Sequence, residues 1–261
     1  MIKIKTENEI KLLEIAGEIT GSTHLYLKKF IKPGISTIEL DKLAYDYIIS
    51  RDATPSFLNY DGYPASICIS VNDEVVHGIP SSRKLLEGDI VSIDIGANYK
   101  GYHGDSAWTY PVGNISNQKQ KLLENTEKSL FEGLSVIKDG CHVGDIGFAV
   151  SEYAKKSNLT VVRELVGHGV GSELHESPDV PNYGHKGTGP ILKEGMVIAV
   201  EPMLNLGKRD VCILEDGWTI VTMDEKPSAH FEHTVLVLKD GYKILTKRWL
   251  NGKRRCNRSR R

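Results

Sequence analysis

An apolar run with the look of a buried strand, Met196-Val197-Ile198-Ala199-Val200, ends on a carboxylate, Glu201, and is closed by Pro202. A continuous run of this length suits a strand covered on both faces, and the proline lacks the donor that would continue its ladder. The pattern recurs. In the segment from Asp89 to Gly96, period-two alternation puts Ile90, Ser92 and Asp94 on one face and Val91, Ile93 and Ile95 on the other. The segment Ser228 to Leu238 reads as one strand with His230, Glu232 and Thr234 on one face and Phe231, His233 and Val235 on the other. Ionised carboxylates crowded into an interior must take up protons or meet cations. The fold therefore has to bring these acids to a place where their charge is matched.

Two more residues join them. Asp105 lies in Gly101-Tyr102-His103-Gly104-Asp105-Ser106, a second strand-like segment, and His168 lies in Gly167-His168-Gly169-Val170-Gly171, where small neighbours let backbone and ligand approach an imidazole. One isolated Asp in such a place reads as a turn or cap residue. Jointly, Asp94, Asp105, His168, Glu201 and Glu232 make a hard, oxygen-rich set whose four carboxylates two divalent ions would neutralise. That points to a metal-dependent hydrolase.

Around these strands the periodicity predicts helices. Thr6-x-x-Glu9 is a capping box ahead of Ile10, Leu13, Gly17 and Thr20, for a helix ending before Pro33-Gly34. A second helix is expected over 37–50 with Leu40, Leu43 and Tyr47 on one face, and others over 116–138 and 143–158. Strands are expected near 66–71, 89–96 and 101–110, and the Asp-Gly pairs at 216–217 and 240–241 divide apolar runs as hairpin turns do. The order helix, helix, strands occurs twice, which suggests two related halves. These elements by themselves define an α+β protein.

The residues now resemble a known family, the type I methionine aminopeptidases, over nearly the whole chain. The carriers are Asn72-Asp73-Glu74-Val75-Val76-His77-Gly78-Ile79-Pro80, the two Asp segments, Gly167-His168-Gly169, Leu174-His175-Glu176, Glu201-Pro202 and Phe231-Glu232-His233-Thr234. The resemblance implies the pita-bread fold, a curved antiparallel sheet flanked by helices in pseudo-two-fold halves, shared with prolidase and aminopeptidase P. It implies that Asp94, Asp105, His168, Glu201 and Glu232 bind two divalent ions (Co, Mn, Fe or Zn), with Asp105 and Glu232 bridging. His77 and His175 resemble the family's substrate-facing histidines, and Glu201 its general base. Tyr60, Tyr63, Cys68 and Trp218 resemble its methionine pocket. The activity implied is removal of the N-terminal methionine from nascent polypeptides with a small second residue, by a water shared between the ions.

Spacing places the chain within the family. Type II members carry a long insertion between the His and first Glu ligands, whereas His168 and Glu201 are 33 positions apart. No Cys/His-rich extension precedes the catalytic segment, as in the short bacterial form. Two positions depart from the usual pattern: Leu174 stands where many relatives place Phe, which would widen or soften that wall, and His230 stands where Gln is common.

Whole-chain features agree. With 261 residues, 40% hydrophobic and 26% charged, one large catalytic domain over 1–250 is expected. Neither a signal peptide core nor a run of about 20 apolar residues is present, so a cytoplasmic monomer with no membrane contact is expected. Cys68, Cys141, Cys212 and Cys256 form no C-x-x-C, which fits reduced thiols, and Cys141 and Cys212 read as buried filler. A basic tail over 251–261 ends the chain. Residues 247–261 hold eight of the 33 basic groups, and without them the net charge moves from −1 to −9. Such a tail offers weak contact to ribosomal RNA phosphates, with a solvated tail as the plainer reading.

Overall fold

The structure, a computed structural model, describes residues 2–247. The tail at 251–261 and Cys256 lie outside the described residues.

The first half opens with α1 (Glu7–Leu27) and α2 (Thr37–Ile49). Both start with capping boxes, Thr6 with Glu9 and Ser36 with Glu39; the second box was not singled out in the sequence. α1 buries Leu13, Ala16, Gly17, Thr20, His24 and Leu27, spaced as one helical face. That face lies tightly on the sheet, because a Cβ on Gly104 would fall 2.6 Å from the Gly17 nitrogen, and Thr20 Oγ1 donates to the Gly104 carbonyl at 3.0 Å. α2 buries Thr37, Leu40, Ala44 and Ile48. Its inner face is thus turned from the expected one, and Leu43 and Tyr47 are only half-buried, Tyr47 stacking on Tyr26 of α1 at 4.7 Å.

The strands of this half are β1 (Thr54–Pro55), β2 (Cys68–Val71), β3 (Glu74–Val76), β4 (Ile90–Tyr99) and β5 (Tyr102–Pro111). β4 is the centre, pairing antiparallel with β1, β2 and β5. The second half repeats the plan with α3 (Asn117–Ser135) and α4 (Val143–Lys156), followed by β6 (Thr160–Val161), β7 (Gly167–Gly169), β8 (Glu176–Val180), β9 (Val197–Val200) and β10 (Met203–Asn205). Then come β11 (Val211–Ile213), β12 (Ile220–Thr222), β13 (Ser228–His230), β14 (His233–Leu238) and β15 (Gly241–Ile244). The largest sheet has the order β15-β14-β9-β7-β8, and all its pairings are antiparallel. This is the α+β pita-bread architecture, with helix pairs preceding the strands of each half. Both Asp-Gly hairpins form, β11–β12 and β14–β15.

One strand is not continuous. The stretch 228–238 divides into β13, paired with β10, and β14, paired with β9 and β15. The cause is Pro202, which stops β9 from running into β10, so the facing strand changes partner at the same level. In the gap the Glu232 N–H donates to the Ala107 carbonyl of β5 at 2.8 Å. The expected alternation survives the break: His230 and Glu232 face the cavity described below, while Phe231 and His233 pack on Trp108.

The two halves meet along β5 and the β13–β14 junction, stitched by hydroxyls. Thr234 Oγ1 accepts from the Asp105 N–H at 3.0 Å and donates to its carbonyl at 2.7 Å; Ser106 Oγ donates to the Glu232 carbonyl at 2.8 Å, and Thr109 Oγ1 to that of His230 at 2.9 Å. Cys141 is buried as expected, but Cys212 is exposed on β11, whose outer edge has no neighbouring strand. No helix among the described residues is long and apolar enough to cross a membrane.

Candidate metal centre

Strand register explains why the five side chains converge. In the β4–β5 pair Asp105 lies opposite Gly96, two residues beyond Asp94, so the two carboxylates share a face as diagonal neighbours. In the β9–β14 pair Val200 lies opposite His233, so Glu201 and Glu232 leave the ladder side by side. His168 is the centre of β7, next to β9. Two candidate donors come from the first half and three from the second, and the hydroxyl seam brings the sets together.

The donors suit a divalent cation. Asp105, His168 and Glu232 are all buried and present ligand atoms within 4.8 Å of one another. His168 Nε2 lies 3.7 Å from Asp105 Oδ2 and 3.6 Å from Glu201 Oε1. His168 Nδ1 donates to the Gly169 carbonyl at 2.9 Å, which leaves the Nε2 lone pair facing carboxylate oxygens. Asp94 Oδ1, Asp105 Oδ1 and Glu232 Oε1 are buried without hydrogen-bond partners. Lone pairs aimed at lone pairs, with orphaned oxygens around them, are what a cation would satisfy.

The metal-free charges are correspondingly strained. Burial pushes Glu201 up to about 8, and burial, reinforced by the Glu201 charge, pushes Asp94 up to about 6. Burial drives Asp105 well above the usual carboxylate range, reinforced by the Asp94 and Glu201 charges, and drives Glu232 up likewise, reinforced by Asp105, Glu201 and Asp94. Burial instead lowers His168 to about 3, and His77 and His230 to about 4, so all three are neutral at neutral pH.

A pH dependence follows. Carboxylates whose folded pKa is raised stabilise the protein most below their unfolded value and lose that contribution as pH climbs through the folded one. The buried histidines act oppositely, but their effect is complete by about pH 6.5. Between pH 6.5 and 8 only the carboxylate term remains. Chelated protein should therefore melt at falling temperatures over that window, and the gain on adding Mn²⁺ should grow with pH. Calorimetry at several pH values checks this; a gain independent of pH would contradict it.

Beside the centre is a cavity of about 450 Å³ that takes in all five donors as well as His77, His175, Tyr60, Tyr63, Cys68 and Trp218. Every side chain singled out in the sequence thus lies at one place. The apolar wall is built from Phe57, Tyr63, Ala65, Cys68 and Leu174, with Tyr60, Ile79 and Trp218 packed on it. Phe57 lines the cavity as well as the core, and Gly96 makes its room, since a Cβ there would fall 2.7 Å from the Phe57 ring. Tyr63 is held rigid by donating to the Gly78 carbonyl at 2.9 Å, and its ring meets Trp218 edge-on at 5.2 Å. Trp218 is set by the hairpin turn, where Asp216 Oδ1 accepts from the Trp218 and Thr219 N–H groups at 2.8 Å each.

His77 and His175 are held differently. His77 follows β3 with φ of 59°, a left-handed conformation costly for a non-glycine residue and typical of functional positions. His175 packs on His168 at 4.2 Å, and its Nδ1 is 2.8 Å from Tyr60 Oη. Sequence reasoning did not foresee that contact, because nothing local links positions 60 and 175. His230 Nε2 lies 3.3 Å from Glu201 Oε2 without a hydrogen bond between them, and is a further buried polar atom left without a partner.

The geometry defines a buried, carboxylate-rich metal centre at one end of a substrate cavity, as in a metallopeptidase. Accordingly, the model of metallopeptidase family M24 matches residues 11–239, and the chain belongs to that family. Within it the chain falls among the methionine aminopeptidases: it is 55% identical over 247 residues to methionine aminopeptidase 1 of Bacillus subtilis, covering 95% of this chain and 100% of that one. The crystal structure of methionine aminopeptidase from Rickettsia prowazekii superposes with a TM-score of 0.93 at 42% identity, covering 94% of this chain and all of the other. Prolidase from Pyrococcus furiosus matches less closely, with a TM-score of 0.76 at 26% identity and 65% of its length covered.

Proposed function

We propose that this chain removes the N-terminal methionine of nascent cytoplasmic polypeptides whose second residue is small, acting as a monomer with two divalent ions held by Asp94, Asp105, His168, Glu201 and Glu232. The observation that carries this reading is the convergence of those five donors at one end of a cavity whose wall is apolar and aromatic. When bound, the ions supply Lewis acidity and a water acidified from about 15.7 toward neutrality. Asp105 and Glu232, from opposite halves, would be among the side chains that hold them.

The protein's own groups do the rest. Glu201 accepts the proton of the attacking water and passes it to the departing amine. We assign Tyr60 Oη as the donor to His175 Nδ1, 2.8 Å away, which puts the His175 proton on Nε2, free to stabilise the oxyanion of the tetrahedral intermediate. His77 holds the scissile amide nitrogen. The methionine side chain fills the wall of Tyr63, Cys68, Leu174 and Trp218; its burial is worth roughly 1.5–3 kcal/mol, and sulfur–aromatic contact adds roughly 0.3–1.5 kcal/mol. Weak ribosomal RNA contact through the basic tail completes the reading, and co-sedimentation of a chain cut after Leu250 tests that part.

With Mn²⁺ present, Met-Ala-Ser should yield free methionine while Ala-Pro-Ala stays intact. Comparable hydrolysis of both peptides would instead favour an X-Pro peptidase.

A further inference from the structure

The segment that reaches the site from farthest away in sequence is the N-terminal arm. Lys5, a residue type normally solvated, is 7% exposed, and its ammonium forms an ion pair with the buried side chain of Glu176. Glu176 directly follows His175 and is the first residue of β8. Its carboxylate also receives the Glu173 N–H at 3.4 Å and lies 3.3 Å from Lys3 Nζ, so it is the hub of the turn 171–176. Burial works against ionisation of Glu176, yet the Lys5 ammonium holds its carboxyl below the ordinary glutamate range. The pair lies directly against the turn, where a Cβ on Gly171 would fall 2.3 Å from both Lys5 Nζ and Glu176 Oε1. Lys5 is itself anchored, its N–H donating to the Gly195 carbonyl at 2.9 Å beside the start of β9.

We infer that Lys5 is a positioning residue for His175: through Glu176 the N-terminal arm fixes the turn that aims the imidazole at Tyr60 and the metal centre. The inference rests on the proposed function for the role of His175. Two attachments define the ring, Tyr60 at Nδ1 and the clamped backbone at Glu176. Losing the clamp frees the turn while all five metal donors keep their places. Displacement of a reacting group by about 1 Å costs on the order of a hundredfold in rate.

A double-mutant cycle tests this. Lys5→Met should lower kcat by about tenfold or more with metal content and KM little changed, and Lys5→Arg should recover most of the loss. In a His175→Ala background Lys5→Met should change kcat by less than about twofold, because the group it positions is gone. Lys5→Met leaves Glu176 with the exposed Lys3 ammonium in place of its buried partner, so Lys5→Met/Glu176→Gln, which removes both charges, runs the same cycle if the single variant does not fold. In ¹⁵N-histidine spectra the His175 Nδ1 resonance should lose its hydrogen-bonded position in the Lys5 variant. Equal losses in both backgrounds, or an unmoved His175 resonance, would overturn the inference. A wild-type chain that released no methionine would sink the proposed function alone, since the resonance test does not depend on turnover.

Discussion

Asp105→Asn should abolish most of the activity and yet raise the melting temperature of the metal-free protein. Asp105 is 3% exposed, burial and its acidic neighbours drive its pKa well upward, and one of its oxygens has no partner. Asparagine keeps the shape and removes a charge that the metal-free interior opposes. Relief of about 1–2 kcal/mol would raise the midpoint by roughly 2–8 °C for a chain of this size. The same change withdraws one of the proposed metal donors, so kcat should fall about a thousandfold or more, equivalent to at least about 4 kcal/mol of lost transition-state stabilisation. The rise in melting temperature on adding Mn²⁺ should shrink with it. Calorimetry at pH 8, where the carboxylates are most strongly opposed, reads both effects. A metal-free variant melting no higher than metal-free wild type would show that the acids do not strain one another.

His175→Ala should lower kcat by about a hundredfold to a thousandfold, the loss typical of one oxyanion donor, while metal content stays at the wild-type level. The separation is possible because His175 stands outside the donor set: it packs edge-on against His168, and its Nδ1 is engaged by Tyr60. Burial lowers its pKa, so the ring is neutral and carries a single proton to donate. A neutral donor helps the charged transition state more than the uncharged substrate, so the effect falls on kcat and little on KM. Single-turnover release of methionine measured alongside metal analysis checks both halves. A near-wild-type kcat, or loss of metal, would remove His175 from this role.

Much of this architecture was legible in the chain itself. The Thr6–Glu9 box starts α1 where expected, the Asp-Gly pairs turn their hairpins, and Asp94 sits on the strand face that alternation assigned. The errors share a cause. The stretch 228–238 was read as one strand because its own pattern has no break; the interruption is imposed by Pro202 on a facing strand. Cys212 was read as filler because apolar neighbours suggest burial, yet β11 is an edge strand with its pattern turned to solvent. The inner face of α2 turned for a similar reason, since helical spacing alone does not say which of two adjacent stripes meets the sheet.

The sequence by itself determined what depends on near neighbours in the chain: helix caps, strand alternation, turn positions, and which strand ends carry the five candidate donors. Only the tertiary structure decided how far those donors stand from one another, that Tyr60 meets His175, and that Lys5 reaches Glu176. Hydrogen bonding and ion pairing act over a few ångströms of space, between groups here 115 and 171 positions apart along the chain. Local pattern carries no record of such distances; they exist once two halves have closed on a common seam and expelled the water between them.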